Sequence, residues 1–190
     1  MAGQKFWRDW VVITLGLALS WVVLFTINPT LHLDQSHYPW ISVVFLPAGL
    51  RIYGVMLFRE RAIPGLFLGN LIVTIIKSHS LPAHLQLDPL AAGIISSLTP
   101  YVSLLLFERL CHKSVDVLER KMKALDLLKL ISTYAAINGL AGCAYFRYNM
   151  GLEEINYYDF LEMALGDFLG AIIFLYIVYL FRAPIKKISK

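Results

Sequence analysis

Apolar and polar stretches alternate along the whole chain, and the apolar stretches have roughly the length of membrane-spanning helices. Six of them can be separated, at about residues 10–27, 39–58, 62–76, 90–110, 125–146 and 159–181. The hydrocarbon core of a bilayer is about 30 Å thick and is crossed by about 20 apolar residues of α-helix. The pattern predicts an all-α integral membrane protein, a six-transmembrane-helix bundle that forms a single membrane domain over residues 1–190.

The lysines and arginines outside the spans are concentrated on alternate polar stretches. The N-terminus, the second loop, the fourth loop and the C-terminus carry Lys5, Arg8, Arg59, Arg61, Arg109, Lys113, Arg120, Lys121, Lys123, Arg182, Lys186, Lys187 and Lys190. The other loops carry Lys77 and Arg147. Because basic loops stay on the cytoplasmic side, this alternation predicts that both termini are cytoplasmic.

Composition agrees with a membrane protein and changes how the net charge is interpreted. The chain is 58% hydrophobic and 16% charged, against about 45–50% and about 25% in soluble domains. The net charge of +4 is explained by the topology signals on the loops. Outside the spans, no basic stripe is interleaved with aromatic residues, so we expect no nucleic-acid partner.

Four polar side chains lie inside the predicted spans at depths that bracket the middle of the bilayer. At 1.5 Å per residue, their distances from the cytoplasmic ends are about 12 Å for Arg51, about 13 Å for Asn70, about 20 Å for Asn138 and about 22 Å for Asp167. Intramembrane charges usually face the bundle interior and pair there. We expect an Arg51–Asp167 pair with the two asparagines as hydrogen-bonding neighbours. Such a group can either fix helix packing or form a ligand pocket or two-state switch.

Prolines and glycines accompany these polar residues. Pro47 and Gly49 interrupt the second span, and Gly166 and Gly170 flank Asp167 at a spacing that lets helix backbones approach closely. We include these four residues in the candidate ligand or switch site. The very short connection Arg59-Glu60-Arg61 further predicts that the second and third spans are antiparallel packing neighbours.

Catalytic signatures are missing from the sequence. It contains neither a Gly-x-Ser-x-Gly elbow nor a His-Glu-x-x-His motif. Gly166-Asp167 is similar to the Gly-Asp of intramembrane aspartyl proteases, which need a second carboxylate at the same depth. The candidate on the preceding span, Asp126, lies at its cytoplasmic end. We therefore expect a protein that is not an enzyme and that has no cofactor.

Histidines and aspartates on the non-cytoplasmic loops are candidate metal ligands, although no pair has the tight spacing of a dedicated metal motif. They are His32, His37, His79, His84, Asp34 and Asp88. We favour solvated loop histidines and expect no metal.

Two basic segments are candidates for contact with anionic lipid headgroups or with a protein partner. The first lies between the fourth and fifth spans and the second in the C-terminal tail, and together they comprise Lys113, Arg120, Lys121, Lys123, Lys186 and Lys187.

The motifs resemble those of the membrane-associated sensor family, type 1, the integral membrane input domains of bacterial signalling proteins. The resemblance rests on Phe45-Leu46-Pro47-Ala48-Gly49, on Arg59 to Gly69 with its Pro64-Gly65, and on Gly166-Asp167-Phe168-Leu169-Gly170. Leu46 and Arg51 depart from the family pattern, which has prolines directly after the aromatic residue and an apolar residue in place of Arg51.

The resemblance implies a sensor-like protein of the bacterial inner membrane. Family members usually continue into an output domain, whereas this chain ends with a short basic tail, so a signal would leave through a protein partner. Interrupted helices and midplane polar residues also suit a small transporter or channel subunit. A scaffold for a membrane complex is a further alternative.

Overall fold

The computed structural model describes residues 2–30, 42–79, 88–112, 115, 122–149 and 157–188. These residues form the helices α1 (Ala2–Thr30), α2 (Pro47–Phe58), α3 (Ile63–Ser78), α4 (Pro89–Cys111), α5 (Ala124–Asn149) and α6 (Tyr157–Ile188). A 3-10 turn, Arg59–Ala62, joins α2 to α3. No strand occurs in the described ranges, so the prediction of an all-α protein is confirmed there.

Four of the helices are long and apolar enough to cross a membrane. The corresponding segments are Trp7–Pro29, Pro89–Cys111, Ala124–Tyr148 and Tyr157–Phe181. Helix α2 has 12 residues and α3 has 16, fewer than the roughly 20 that span a bilayer core as a single helix. The chain is therefore a multi-pass membrane protein, while the count of six spans and the single domain over residues 1–190 stay predictions.

In the described part of the second predicted span, 39–58, the helix begins at Pro47. Residues 39–41 lie outside the described residues, and Ser42–Leu46 is not helical. Pro47 explains this difference. It has no backbone N–H to donate to Val43, and its ring would clash with the carbonyl of that residue in a continuous helix. Proline is well suited to the first position of a helix, where it stands here.

Helices α2 and α3 do not pack along each other, so the prediction that they are packing neighbours is wrong. Helix α3 packs on α1 and α4, and α2 packs mainly on α6. Glycines on α2 and α3 explain which helix each of the two packs on. Gly65 and Gly69 of α3 face Leu17 and Trp21 of α1. On α2, a Cβ at Gly49 would overlap the Phe174 side chain of α6.

The bundle is apolar outside and partly polar inside. Large side chains such as Leu19 and Leu140 are exposed on the outer surface, while Trp21 and Leu130 are fully buried. Among the residues whose burial the structure describes, eleven polar or charged ones are also buried: Asn28, Ser42, Arg51, Asn70, Thr74, Ser96, Ser97, Thr99, Ser103, Asn138 and Asp167. Because lipid cannot hydrogen-bond these groups, they must find partners within the bundle.

An ion pair fastens the Arg59–Ala62 turn to α4. Arg59 donates from Nη1 and Nη2 to the two carboxylate oxygens of Glu108, over 3.0 and 2.9 Å. Val115 N donates to the same carboxylate over 2.7 Å. Arg59 has a φ of 53°, which is unfavourable for a residue with a side chain. The hydrogen bond to Glu108 raises the pKa of Arg59 above its ordinary value and helps to hold this backbone conformation.

Candidate functional site

A cavity lies inside the bundle, and each of the six helices contributes to its wall. It has about 100 Å³ of space for the centres of water-sized molecules, enough for several waters. The four intramembrane polar residues singled out in the sequence all line it: Arg51, Asn70, Asn138 and Asp167. Two residues of the non-helical segment Ser42–Leu46, Ser42 and Phe45, also line it. The structure thus places the four predicted polar residues around one cavity.

Arg51 reaches the cavity from the second turn of α2 and is 5% exposed. Its guanidinium carbon lies 4.4 Å from the centroid of the Trp21 ring and 5.3 Å from that of Phe45, which is cation–π geometry. Nη1 donates to the Tyr134 hydroxyl over 3.0 Å. Nε is buried and has no hydrogen-bond partner. The charge is therefore stabilised by aromatic rings and one hydroxyl, while Nε stays without a hydrogen bond.

Asp167 is held by a hydrogen-bonded chain across three helices and is 2% exposed. Asn138 of α5 donates from Nδ2 to Asp167 Oδ2 of α6 over 2.5 Å. Thr99 of α4 donates to Asn138 Oδ1 over 2.8 Å. Asn138 therefore links a hydroxyl to a carboxylate and fixes the orientation of both.

A second polar group joins α3 to α4 at the cavity. Asn70 donates from Nδ2 to Ser96 Oγ over 2.9 Å, and Thr74 donates to Asn70 Oδ1 over 3.0 Å. All three residues line the cavity. Asn70 is therefore bonded to neutral hydroxyls and not to either charge.

Among the described residues, Arg51 and Asp167 form no ion pair with each other, which differs from the expected direct contact. The side-chain partners explain the difference. The guanidinium of Arg51 is stacked on Trp21 and bonded to Tyr134, while Asp167 is bonded to Asn138. The depths of the two residues in their spans were compatible with pairing, but depth does not fix the direction in which a side chain points.

The glycines of α6 allow the Ser42–Leu46 segment to lie against that helix. Phe45 N donates to Gly166 O over 2.9 Å. A Cβ at Gly166 would overlap the Ser42 carbonyl oxygen, and a Cβ at Gly170 would overlap that of Phe45. Close backbone approach therefore requires glycine at both positions. Pro47 follows this segment directly and is buried at the start of α2.

Asn28 near the end of α1 supplies further hydrogen bonds to the same segment. Its Oδ1 accepts from Leu46 N over 3.0 Å, and its Nδ2 donates to Ser42 Oγ over 3.1 Å. Ser42 Oγ donates in turn to Val44 O over 3.1 Å. These bonds satisfy polar groups that a non-helical segment would otherwise leave unpaired inside the membrane protein.

The other candidate residues whose side chains the structure describes do not line the cavity. Of the basic residues, Lys123 is exposed, Lys186 and Lys187 belong to α6, and Lys113, Arg120 and Lys121 lie outside the described residues. Of the histidines, His79 is exposed, and His32, His37 and His84 lie outside the described residues. Within the described residues, no group of three or more His, Cys, Asp or Glu residues is arranged to hold a metal ion.

Four contributors to the site were not predicted from the sequence, namely Asn28, Ser96, Thr99 and Tyr134. Each is a buried residue with a polar group inside a helix and hydrogen-bonds a neighbouring element. An isolated polar residue in an apolar stretch is a usable signal, because lipid contact is unfavourable for it. Tyrosine is harder to recognise because it is also common at membrane interfaces.

The fold and cavity define the class, a multi-pass helical membrane protein with a buried polar site. A family model, MASE1, matches residues 10–189, nearly the whole chain. The chain therefore belongs to the MASE1 family, whose members are membrane-associated sensor domains. The resemblance found in the sequence motifs is confirmed. No curated protein and no solved structure matches the chain.

Proposed function

We propose that this sensor domain detects its stimulus at the buried cavity and relays it to a protein partner by rearranging its helices. The observation that carries the proposal is the cavity wall, to which all six helices contribute. A change in the hydrogen bonds at this site would alter contacts between several helices at once. The protein acts in this proposal as an input module and catalyses no reaction.

The proposed orientation in a bacterial inner membrane follows from the distribution of lysine and arginine. With both termini cytoplasmic, α2 crosses the bilayer together with the Ser42–Leu46 segment. Among the cavity residues, Thr74 and Tyr145 lie near the ends of α3 and α5, and Met163 lies near the start of α6. The cavity then occupies the half of the bundle nearer the outer face, and the stimulus reaches it from that side.

The Ser42–Leu46 segment is the element best suited to rearrange. It lines the cavity through Ser42 and Phe45, and its bonds to α1 and α6 run through Asn28 and Gly166. It lacks the repeating intrahelical hydrogen bonds that keep a long helix rigid. A shift of this segment would move α2 and, through the Arg59–Ala62 turn, α3.

The basic residues on the cytoplasmic side fit contact with a partner or with anionic lipid headgroups. They are Lys113, Arg120, Lys121, Lys123, Lys186 and Lys187. In this proposal, they hold the responding ends of α5 and α6 at the membrane surface or against the partner.

Distance measurements between spin labels test the switch. Leu125 at the start of α5 and Phe181 on α6 are 63% and 70% exposed, so labelled cysteines are tolerated there in a chain with Cys111 and Cys143 replaced by alanine. We expect Asp167→Asn and Asn138→Ala to change the distribution of distances. The lipid-facing variant Leu140→Ala is the control and should leave it unchanged. Identical distributions in all folded variants would contradict the proposal.

A small transporter or channel subunit is the second candidate, favoured by the interruption before α2. Transporters form binding sites from such broken helices near the middle of the bilayer. Flux of small solutes into liposomes containing the purified protein, compared with liposomes containing Asp167→Asn, distinguishes transport from sensing. A membrane-complex scaffold differs from both, because its assembly would tolerate Asp167→Asn.

A further inference from the structure

Two opposite charges share the wall of the cavity without neutralising each other by direct contact. Arg51 and Asp167 are 5% and 2% exposed. The hydrogen-bond partners of both are uncharged, Tyr134 for Arg51 and Asn138 for Asp167. Buried charges are normally stabilised by a counter-charge as well as by hydrogen bonds. Each therefore keeps capacity for a further, oppositely charged partner.

Both residues have polar atoms that are not used in hydrogen bonds within the bundle. Arg51 carries five N–H donors, and Nε has no partner although it is buried. Asp167 uses Oδ2 for Asn138, which leaves Oδ1 able to accept. Because both residues line the cavity, the guanidinium of Arg51 can donate to an anionic group there, and the carboxylate of Asp167 can accept from a cationic group.

The remainder of the wall is mixed. Asn70 and Ser96 add uncharged polar groups, while Phe25, Phe146 and Ile95 add apolar surface. The space would hold several waters, which corresponds to a molecule of a few heavy atoms. A small ligand with a charged end and a short side chain would find suitable contacts.

From this arrangement, we infer that the cavity binds a small zwitterion of the α-amino-acid class, with its carboxylate toward Arg51 and its ammonium group toward Asp167. The inference rests on the proposed function, because it assigns a ligand class to the proposed sensing site. A ligand carrying only an anion would leave Asp167 without a counter-charge. A ligand carrying only a cation would do the same to Arg51.

Ligand-dependent thermal stability of the purified full chain in detergent tests the ligand class. The probes are the standard α-amino acids, each compared with its amide, which lacks the carboxylate, and its N-acetyl derivative, which lacks the ammonium group. We expect at least one amino acid to raise the unfolding temperature with saturation and both of its derivatives to bind about tenfold or more weakly. If no amino acid stabilises the protein, or if a derivative binds equally well, the inference is wrong and the cavity holds water or another ligand.

Substitutions then locate the binding. Arg51→Gln and Asp167→Asn should each weaken amino-acid binding by about tenfold or more. Arg109→Gln is the matched control, because Arg109 is an exposed arginine on α4. The affinity of this variant for the amino acid should equal that of the unsubstituted protein. If both variants fold and bind the amino acid as tightly as the unsubstituted protein does, the assignment to this cavity is wrong.

If either variant does not fold, quenching of Trp21 fluorescence by the bound amino acid in the unsubstituted protein supplies the second readout of binding beside Arg51. No ligand-dependent change in Trp21 emission, measured in a chain whose other tryptophans are replaced by phenylalanine, would overturn it as well.

The experiments distinguish a failure of the proposed switch from a failure of the proposed ligand class. Amino-acid binding with unchanged distances between the labels at Leu125→Cys and Phe181→Cys would support the ligand class and contradict the switch. Changed distances in the cavity variants without binding of any amino acid would support the switch and contradict the ligand class.

Discussion

Two arginine–carboxylate combinations, one at the end of the bundle and one in its interior, are built in opposite ways. At the Arg59–Ala62 turn, Arg59 and Glu108 are in direct contact over 2.9 Å, with side chains 39% and 15% exposed. In the interior, Arg51 and Asp167 are almost completely buried, yet they bond to uncharged neighbours instead of to each other. The direct contact is made at the end of the bundle, where nearby water weakens the attraction between the charges. It is absent in the interior, where that attraction would be stronger.

This difference separates a structural ion pair from a candidate site. The outer pair has an evident structural role, because it holds a positive-φ turn against α4. A group that only fixed helix packing would gain most from direct contact between the interior charges. Keeping them on separate parts of a cavity wall maintains two unsaturated charges that a ligand can use.

Removing one interior charge should have the largest effect. Asp167→Leu removes the carboxylate that shares the cavity wall with Arg51 and leaves Asn138 Nδ2 without its acceptor. We expect a loss of about 3–5 kcal/mol in the free energy of unfolding, measured by SDS titration in mixed micelles. Leu169→Ala, at a 40% exposed position of α6, is the control. A cost for Asp167→Leu no greater than that of the control would contradict the account of a stabilising interior charge.

Adding a methyl group at the contact with the Ser42–Leu46 segment should have the next largest effect. In Gly170→Ala, the new Cβ overlaps the Phe45 carbonyl oxygen, and backbone cannot move aside as a flexible side chain can. We expect a loss of about 1–3 kcal/mol in the same titration. Gly16→Ala is the matched control, because no atom lies within 4 Å of its added Cβ. Equal stabilities of the two variants would show that the segment does not lie on α6.

Truncating the link between the hydroxyl and the carboxylate should have a comparable effect. Asn138→Ala leaves Thr99 without its acceptor and Asp167 without its donor. We expect a loss of about 1–3 kcal/mol, followed by thermal unfolding in detergent. Leu140→Ala on the lipid-facing side of the same helix is the comparison. The link through Asn138 would be disproved by stability equal to that of the unsubstituted protein.

Breaking the outer pair should have the smallest effect. Arg59→Gln removes an ion pair whose arginine is 39% exposed, so we expect a cost of about 0–1 kcal/mol. The difference from the unsubstituted protein should shrink as salt is added, because salt screens exposed charges. The measurement is thermal unfolding at low and high ionic strength. A cost as large as that of Asp167→Leu would reverse the comparison between the two regions.

The sequence alone was enough for the membrane class and for four of the polar residues that line the cavity. Apolar stretches of bilayer length predict α1, α4, α5 and α6, because lipid demands such stretches. Arg51, Asn70, Asn138 and Asp167 could be selected because polar groups are costly in lipid, and the structure places all four around one cavity. Whether that cavity is a functional site stays a prediction.

Three-dimensional details could not be read in the same way. The Ser42–Leu46 segment is as apolar as a membrane-spanning helix, and in the sequence only Pro47 indicates that the helix begins after it. The pairing of α3 with α1 depends on which residues meet Gly65 and Gly69, which a single sequence does not specify. The absence of a direct Arg51–Asp167 contact depends on the position of Trp21, far away in the chain.

A double-mutant cycle at the interior charges tests whether Arg51 and Asp167 belong to one site. The free energy of unfolding is measured for Arg51→Leu, Asp167→Leu and the double variant. If the two charges stabilise each other across the cavity, each single variant leaves a lone charge and the double variant recovers more than about 1 kcal/mol of the summed losses. If the losses simply add, the two charges do not interact across the cavity, and the assignment of both to one site is wrong.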